Sequence, residues 1–140
     1  MATELLGSGA SGTVPLAPVR RIAIVPAFNE ERNVGRVLDE LRALDQGLEI
    51  VVVSDGSTDA TAEVAAARGA HVVVLPFNLG IGGAVQTGFR FALEGGYDLA
   101  VRLDGDGQHD PAELRRLVEP VVAGEADLAV GSRFVTAGGY

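Results

Sequence analysis

Short apolar runs alternate with segments of helical periodicity along the whole chain, and no other feature limits the fold as strongly. The runs are dense in β-branched residues, which favours strands, while the segments between them repeat apolar residues at helical spacing. The predicted strands span 20–26, 48–53, 70–75, 98–103 and 126–130, and the predicted helices span 30–45, 84–94 and 111–123, with an alanine-rich helix ending near 68. Strands that are apolar throughout need cover on both faces. The sequence therefore predicts an α/β fold, a mostly parallel sheet with helices on both faces.

The composition excludes several classes of protein and site. The chain has 140 residues, enough to bury the core of one domain, and its formal net charge of −8 disfavours nucleic acid as a partner. It has no cysteine, which excludes disulfides, thiolate metal sites and cysteine nucleophiles. No apolar run approaches the roughly 20 residues of a membrane span. Composition thus predicts a cytoplasmic, non-nucleic-acid-binding chain.

The first residues differ in character from the rest. Residues 1–19 are small, rich in Gly and Ser, and carry Glu4 where a signal peptide has basic residues. We expect a flexible leader there and a single domain over 20–140.

Two aspartates one residue apart, Asp104 and Asp106, directly follow the fourth predicted strand. Residues i and i+2 of an extended segment face the same side, so both carboxylates face one point, which is unfavourable without a cation between them. With the amide oxygen of Gln108 they make an all-oxygen set, which suits Mg²⁺ or Mn²⁺. Asp110 and Pro111 instead fit the N-cap and first residue of the next helix. The pattern predicts a divalent-cation site at Asp104, Asp106 and Gln108.

Unusual residues also follow the other predicted strands. They are residues 26–30 (PAFNE) after the first strand, Asp55 after the second, the glycine-rich loop 78–83 after the third, and Arg133 after the fifth. In an open parallel sheet the carboxyl ends of the strands lie along one edge, where ligands bind. The order of the chain therefore predicts one crevice that gathers all of these residues and the aspartate pair.

Each of these features has a structural explanation beside the functional one. Phe28 fits an ordinary core residue or a support for a nucleotide base, and Glu30 fits the start of a helix, with Asn29 as its N-cap. Residues 55–59 make a good turn, and loop 78–83 lacks the lysine of a phosphate-binding P-loop. Arg133 fits a surface residue or a phosphate ligand. His71, inside a strand, is interpreted as structural.

Taken in order, these motifs resemble the family 2 glycosyltransferases of the GT-A fold, and within them the polyprenol-phosphate (dolichol-phosphate) mannose or glucose synthases. The motifs that carry the resemblance are residues 26–31 (PAFNEE), 54–59 (SDGSTD), 78–84 (NLGIGGA), 104–109 (DGDGQH) and 131–134 (GSRF). Two positions depart from the family pattern, because Ser54 replaces a frequent aspartate and Phe28 replaces a frequent tyrosine.

The resemblance implies a role for each matching position. The residues expected around a sugar nucleotide are Pro26, Phe28, Glu30, Val53, Asp55, Asp104, Gly105 and Asp106. Asp104 and Asp106 would hold Mg²⁺ or Mn²⁺ against the diphosphate with help from Gln108, and would form the catalytic set with Arg133. Arg133 would lie near the diphosphate or the incoming acceptor phosphate.

The activity implied by the resemblance is transfer of a hexose from a GDP- or UDP-hexose to an acceptor such as a polyprenyl phosphate, with inversion. The resemblance further implies a location at the inner face of the membrane, a membrane-embedded partner, and a chain that ends before the acceptor-binding segments of the family. One alternative is a non-catalytic nucleotide-sugar-binding module that needs further chain or a partner. A sugar nucleotidyltransferase or a dinucleotide-dependent dehydrogenase is disfavoured, because no glycine-rich signature follows the first strand.

Overall fold

The computed structural model describes residues 18–106 and 113–129, and within these ranges strands and helices alternate. The elements are β1 (Arg21–Ala27), α1 (Val34–Leu44), β2 (Glu49–Asp55), α2 (Thr61–Ala67), β3 (His71–Leu75), α3 (Ile81–Glu94), β4 (Leu99–Arg102) and α4 (Glu113–Val122). The predicted alternation and the α/β class are confirmed.

The described strands form one parallel sheet in the order β3-β2-β1-β4. Strand β1 lies in the middle, where Val25 pairs with Val52 of β2 and Ile24 pairs with Arg102 of β4. The chain adds β2 and β3 on one side of β1 and then crosses to the other side to form β4. The direction of strand addition therefore reverses between β1 and β4, and the carboxyl ends of these two strands flank the crevice where open α/β sheets bind ligands.

Helices cover both faces of the sheet, as predicted, because alternate residues of each strand point to opposite faces. Helices α1, α2 and α4 pack on the face that carries Val25 and Val52. Helix α3 packs on the other face, against Ile22 and Ile24. It approaches β1 closely at Gly88, where a Cβ atom would lie 2.2 Å from Cγ2 of Ile24.

Two helices begin at residues other than those predicted. Helix α1 starts at Val34 instead of residue 30, so its first turn contains no acidic residue. Asn29 is not its N-cap: its φ of +52° is left-handed, and its side chain bonds to another loop. Asn33 takes the N-cap position without a side-chain capping bond. Helix α3 starts at Ile81 rather than 84, because the carbonyl of Gly80 already accepts the first helical hydrogen bond.

The predicted fifth strand is not formed in its described part, residues 126–129. The amides of Glu125 and Ala126 instead donate to the carbonyl of Pro120 at 2.9 and 3.1 Å, which wraps the chain against the end of α4. Leu128 is 78% exposed, so the apolar residue at the centre of the run is not in the core. The apolar pattern favoured a strand, but the amides of Glu125 and Ala126 bond to the end of α4 and not to a neighbouring strand.

The predicted leader lies mostly outside the described residues. Of its last two residues, Val19 packs beside Leu99 and Val121. Within the described ranges, none of the helices combines the length and the apolar character needed to cross a membrane.

Candidate functional site

The carboxyl ends of β1, β2 and β4 lie at one edge of the sheet, because the three strands are parallel and adjacent. This edge carries the loop after Ala27, the turn after Asp55 and the segment after Arg102. The predicted gathering of these motifs at one edge is therefore present for every motif within the described residues. Gln108 and Arg133 lie outside the described residues.

Gly105 holds the aspartate pair against the end of β1. It is buried, and a Cβ atom there would lie 3.1 Å from the Cβ of Ala27 and 3.1 Å from the carbonyl oxygen of Pro26. The Leu103 amide also donates to the Ile24 carbonyl at 2.9 Å, which continues the β1–β4 pairing past the end of β4. A glycine permits this close approach of two backbones. An alanine here would require its neighbours on β1 to shift by a few tenths of an ångström.

Asp104 and Asp106 flank Gly105 and are both partly buried. Oδ1 of Asp104 accepts a hydrogen bond from Nη2 of Arg102 at 3.1 Å. Two adjacent carboxylates with accessible surface fit a hard divalent cation, which prefers oxygen ligands. The described residues contain no group of three or more acidic or histidine side chains placed for a metal. The remaining ligands of a cation here would come from residues outside the described ranges, such as Gln108, from water or from a bound phosphate.

Asp55 ties the turn after β2 to the glycine-rich loop. It is only 4% exposed, and its Oδ1 accepts a hydrogen bond from the Leu79 amide at 2.7 Å. Gly56 has a φ of +72°, and a Cβ atom there would lie 2.4 Å from the Asn78 nitrogen. One oxygen of Asp55 thus holds the glycine-rich loop in place, a structural role that the sequence analysis did not predict.

The loop after β1 is hydrogen-bonded to the turn after β2. Oδ1 of Asn29 accepts from the Thr58 amide at 2.8 Å, and the Asn29 amide donates to Oγ of Ser57 at 3.1 Å. Sequence reasoning missed this link, because it assigned Asn29 to the helix that follows. Asparagine is several-fold enriched at left-handed positions, and that preference is the signal that could have revealed it.

The same two loops are joined a second time at Glu30 and Glu31. The Glu30 amide donates to Oγ1 of Thr61 at 2.9 Å, and the Ala60 amide donates to Oε2 of Glu31 at 3.0 Å. The Glu31 amide donates to Oδ2 of Asp59 at 3.2 Å. Although desolvation acts to raise it, the pKa of Asp59 is lowered, because hydrogen bonds from Thr61 and Glu31 stabilise its charged form. The two loops therefore form one hydrogen-bonded unit.

Phe28 stands at the end of β1 with 48% of its surface exposed, so it is not an ordinary core residue. Pro26 and Val53, which were also expected near a nucleotide, are buried and pair with each other across β1 and β2. The Glu30 carboxylate accepts a hydrogen bond from Nδ2 of Asn33 at 2.8 Å. Phe28 is thus the apolar side chain that this loop presents at the sheet edge.

The chain is similar to proteins of one family over most of its length. Residues 22–139 match the family model described as glycosyl transferase family 2. The undecaprenyl-phosphate mannosyltransferase of Micrococcus luteus is 40% identical over 125 residues, which are 86% of this chain and 51% of that protein. The polyprenol monophosphomannose synthase of Mycolicibacterium smegmatis is 36% identical over 138 residues, which are 94% of this chain and 52% of that protein. The chain thus spans about half the length of these curated relatives.

Two solved structures share the fold. Glucosyl-3-phosphoglycerate synthase from Mycobacterium tuberculosis, in complex with Mn²⁺, uridine diphosphate and glucosyl-3-phosphoglycerate, superposes with a TM-score of 0.63 at 30% identity, covering 89% of this chain and 45% of that chain. Mannosyl-3-phosphoglycerate synthase from Rubrobacter xylanophilus gives a TM-score of 0.64 at 28% identity, covering 74% of this chain and 36% of that chain. These neighbours confirm the GT-A type of the predicted α/β fold.

Proposed function

This chain belongs to glycosyl transferase family 2, and from that premise we propose that it forms the nucleotide-sugar-binding part of a hexosyltransferase. The enzyme takes a hexose from a nucleoside-diphosphate sugar, GDP- or UDP-linked, and transfers it to a polyprenyl phosphate. The observation that carries the proposal is the packing of Gly105 against Pro26 and Ala27, which brings the aspartate pair to the end of β1. That position lies where the order of strand addition reverses, the usual ligand site of such sheets.

The base and ribose of the donor are assigned to the loop after β1 and the turn after β2. Phe28 is half exposed there and offers an aromatic face for the base. Glu30 and Asp55 supply carboxylate oxygens as acceptors for ribose or base N–H and O–H groups. Pro26 and Val53 support this pocket from the buried strands beneath it. The joined loops keep these groups in a fixed arrangement before the donor binds.

The diphosphate of the donor is assigned to Asp104 and Asp106, through Mg²⁺ or Mn²⁺, with Gln108 as a further ligand. Such a cation, when bound, offsets the negative charge that develops on the departing diphosphate. Asp104 and Asp106 would hold it at the end of β4, next to the β1 loop that binds the nucleoside. Arg133 is assigned to the diphosphate or the acceptor phosphate, because its planar fork matches phosphate oxygens.

The acceptor is assigned to the polyprenyl phosphates because two relatives bear the names undecaprenyl-phosphate mannosyltransferase and polyprenol monophosphomannose synthase. A lipid phosphate is already an anionic nucleophile at neutral pH, so no general base is required. The bond between the sugar carbon and the nucleoside diphosphate breaks as a bond to an acceptor oxygen forms on the opposite face, which inverts that carbon. We further assign the enzyme to the inner face of the membrane that holds its lipid acceptor, with a membrane-embedded partner.

Calorimetric titration of UDP and GDP, with and without Mn²⁺, tests the donor site. We expect the chain to bind one of the two nucleotides in a Mn²⁺-dependent manner, and expect the Asp104→Ala, Asp106→Ala variant to lose that binding. The matched control is Glu125→Ala, Asp127→Ala, which removes two exposed acids at the same spacing beyond the far end of α4. Failure of the unchanged chain to bind either nucleotide, or undiminished binding by the Asp104→Ala, Asp106→Ala variant, would contradict the proposal.

A further inference from the structure

We propose that Arg102 couples the binding of the divalent cation to the binding of the nucleoside diphosphate. In this proposal Arg102 holds Asp104 when neither ligand is present, and moves to the diphosphate when the cation takes Asp104. The inference rests on the proposed function, since it concerns the donor site assigned there. It gives Arg102 a diphosphate-binding role that the sequence motifs do not assign.

The position of Arg102 follows from the alternation of side chains in β4. Ala100, two residues before it, packs on the α3 face of the sheet, so Arg102 leaves the strand on that same face. Its Nη2 donates to Oδ1 of Asp104 at 3.1 Å. The guanidinium is therefore bonded to a carboxylate oxygen that would otherwise be a ligand of the proposed cation.

The ion pair between Arg102 and Asp104 is weak enough for a ligand to displace it. The side chains of Arg102 and Asp104 are 45% and 35% exposed, and ion pairs in such settings contribute little to stability because water screens them. A cation at Asp104 would also repel the guanidinium. Arg102 therefore opposes cation binding weakly, and the cation displaces it at a small cost.

Once displaced, Arg102 remains at the end of β4, tethered two residues from Asp104. A guanidinium carries donors in a planar fork that suits phosphate oxygens, so a diphosphate brought to the cation offers it a new partner. Binding of one ligand then favours the other, and by linkage the effect is the same in both directions. Cation alone binds weakly, and cation with diphosphate binds well.

The other arginine ion pairs within the described ranges do not involve the predicted site residues. They join Arg20 to Glu49, Arg21 to Asp45, Arg36 to Glu40, Arg68 to Asp39 and Arg90 to Glu94. The Arg36–Glu40 pair on α1 has a similar exposure to the pair at Asp104. It supplies a matched control, since Arg36→Gln removes the same charge from a comparable pair elsewhere.

The first measurement is Mn²⁺ binding without nucleotide, followed by the electron paramagnetic resonance signal of free Mn²⁺. We expect Arg102→Gln to bind Mn²⁺ roughly three- to tenfold more tightly than the unchanged chain, since it removes both the competing ion pair and a repelling charge. Arg102→Lys keeps the charge and should stay within about twofold of the unchanged chain, as should Arg36→Gln. Unchanged or weaker Mn²⁺ binding by Arg102→Gln, or an equal gain in Arg36→Gln, would overturn the proposal.

The second measurement is calorimetric titration of UDP and GDP at saturating Mn²⁺. Here Arg102→Gln should bind the preferred nucleotide roughly three- to tenfold more weakly, the opposite direction to its effect on Mn²⁺ alone. Unchanged nucleotide affinity would overturn the coupling, and thermal melting of each variant excludes a folding defect as the cause. Absence of Mn²⁺-dependent nucleotide binding by the unchanged chain, or such binding that survives Asp104→Ala, Asp106→Ala, would instead overturn the proposed function and the inference with it.

Discussion

The two edges of the sheet treat their charged groups in different ways. At the amino edge, Arg20 donates to the carboxylate of Asp98 through its amide at 2.8 Å and to that of Glu49 through Nη2 at 3.4 Å. Its guanidinium also lies 4.3 Å from the centre of the Tyr97 ring, and His71 approaches Glu49 at 3.5 Å. Side-chain pairs thus join charged residues at the starts of β1, β2 and β3, and a backbone amide adds Asp98 just before β4.

At the carboxyl edge, three acids accept hydrogen bonds from backbone amides. Leu79 donates to Asp55, Glu31 to Asp59 and Ala60 to Glu31. Amide donors orient a carboxylate without adding a net positive charge, so these three acids keep their negative charge, whereas Asp104 is paired with the Arg102 guanidinium. The amino edge thus pairs its charged groups with one another, whereas the carboxyl edge holds oxygen ligands in position.

The largest effect is expected from Asp106→Asn, which removes charge from the carboxyl edge while keeping the size of the side chain. Changes to residues that only orient metal ligands cost about 10- to 100-fold in affinity, so loss of a direct ligand should cost roughly 100-fold or more in Mn²⁺-dependent nucleotide binding. Calorimetry measures the nucleotide affinity, and thermal melting shows whether the variant stays folded. Equal nucleotide affinity in the variant would contradict the assignment of Asp106 to the site.

Asn29 tests whether the joined loops at the carboxyl edge depend on a single strained residue. Asn29→Ala should lose about 2 kcal/mol of unfolding free energy, from the left-handed backbone and from the bond to the Thr58 amide. Asn29→Gly keeps the backbone freedom and should lose only about 1 kcal/mol, the part that belongs to the side chain. Chemical denaturation measures both variants, and equal losses would mean that the left-handed backbone adds no strain.

The sequence predicted the fold and the sheet edge that carries the acidic residues, but it did not predict the contacts of Asn29. The alternation of strands and helices follows from local periodicity, and the edge that holds Asp55, Asp104 and Asp106 follows from it, because parallel strands end together. The preference of asparagine for left-handed backbone is a local signal for the turn at Asn29. The hydrogen bonds of Asn29 to Ser57 and Thr58, nearly thirty residues away, leave no local pattern.

The absence of a strand over residues 126–129 likewise results from a contact that the local sequence pattern does not show. Residues 126–129 carry an apolar pattern, but a strand needs a neighbour whose backbone groups pair with its own. Here the amides of Glu125 and Ala126 bond to Pro120, a contact set by how α4 ends. The close approach of Gly105 to β1 is likewise invisible in the sequence, since a glycine after an aspartate fits any turn.

Phe28 tests the apolar part of the carboxyl edge. Phe28→Ala should weaken nucleotide binding by roughly tenfold if the ring stacks on the base, while Phe28→Tyr keeps the ring and should bind within about twofold of the unchanged chain. Because Phe28 is half exposed, neither change should lower the melting temperature much. Titration of the preferred nucleotide at saturating Mn²⁺ measures the effect, and full affinity in Phe28→Ala would assign the base to another surface.

The smallest effect is expected at the amino edge, from Glu49→Gln. A hydrogen bond from Tyr97, and further ones from His71 and Arg20, lower the pKa of Glu49 below its ordinary value of 4.5 against an opposing effect of burial. A carboxyl whose pKa is lower in the folded state adds stability above its unfolded pKa, and that stability is lost as the pH falls through the folded pKa. Its carboxylate is half exposed, so screening limits the contribution to at most about 1 kcal/mol.

Denaturation of Glu49→Gln and the unchanged chain across pH should therefore show a difference near pH 7 that shrinks below the ordinary pKa of 4.5. A difference that does not change with pH would mean that Glu49 acts through packing and not through its charge. Nucleotide affinity should stay unchanged in this variant, because Glu49 begins β2 while the proposed donor site lies beyond the strand's other end. Loss of nucleotide binding in Glu49→Gln would mean that the amino edge directly supports the donor site at the carboxyl edge.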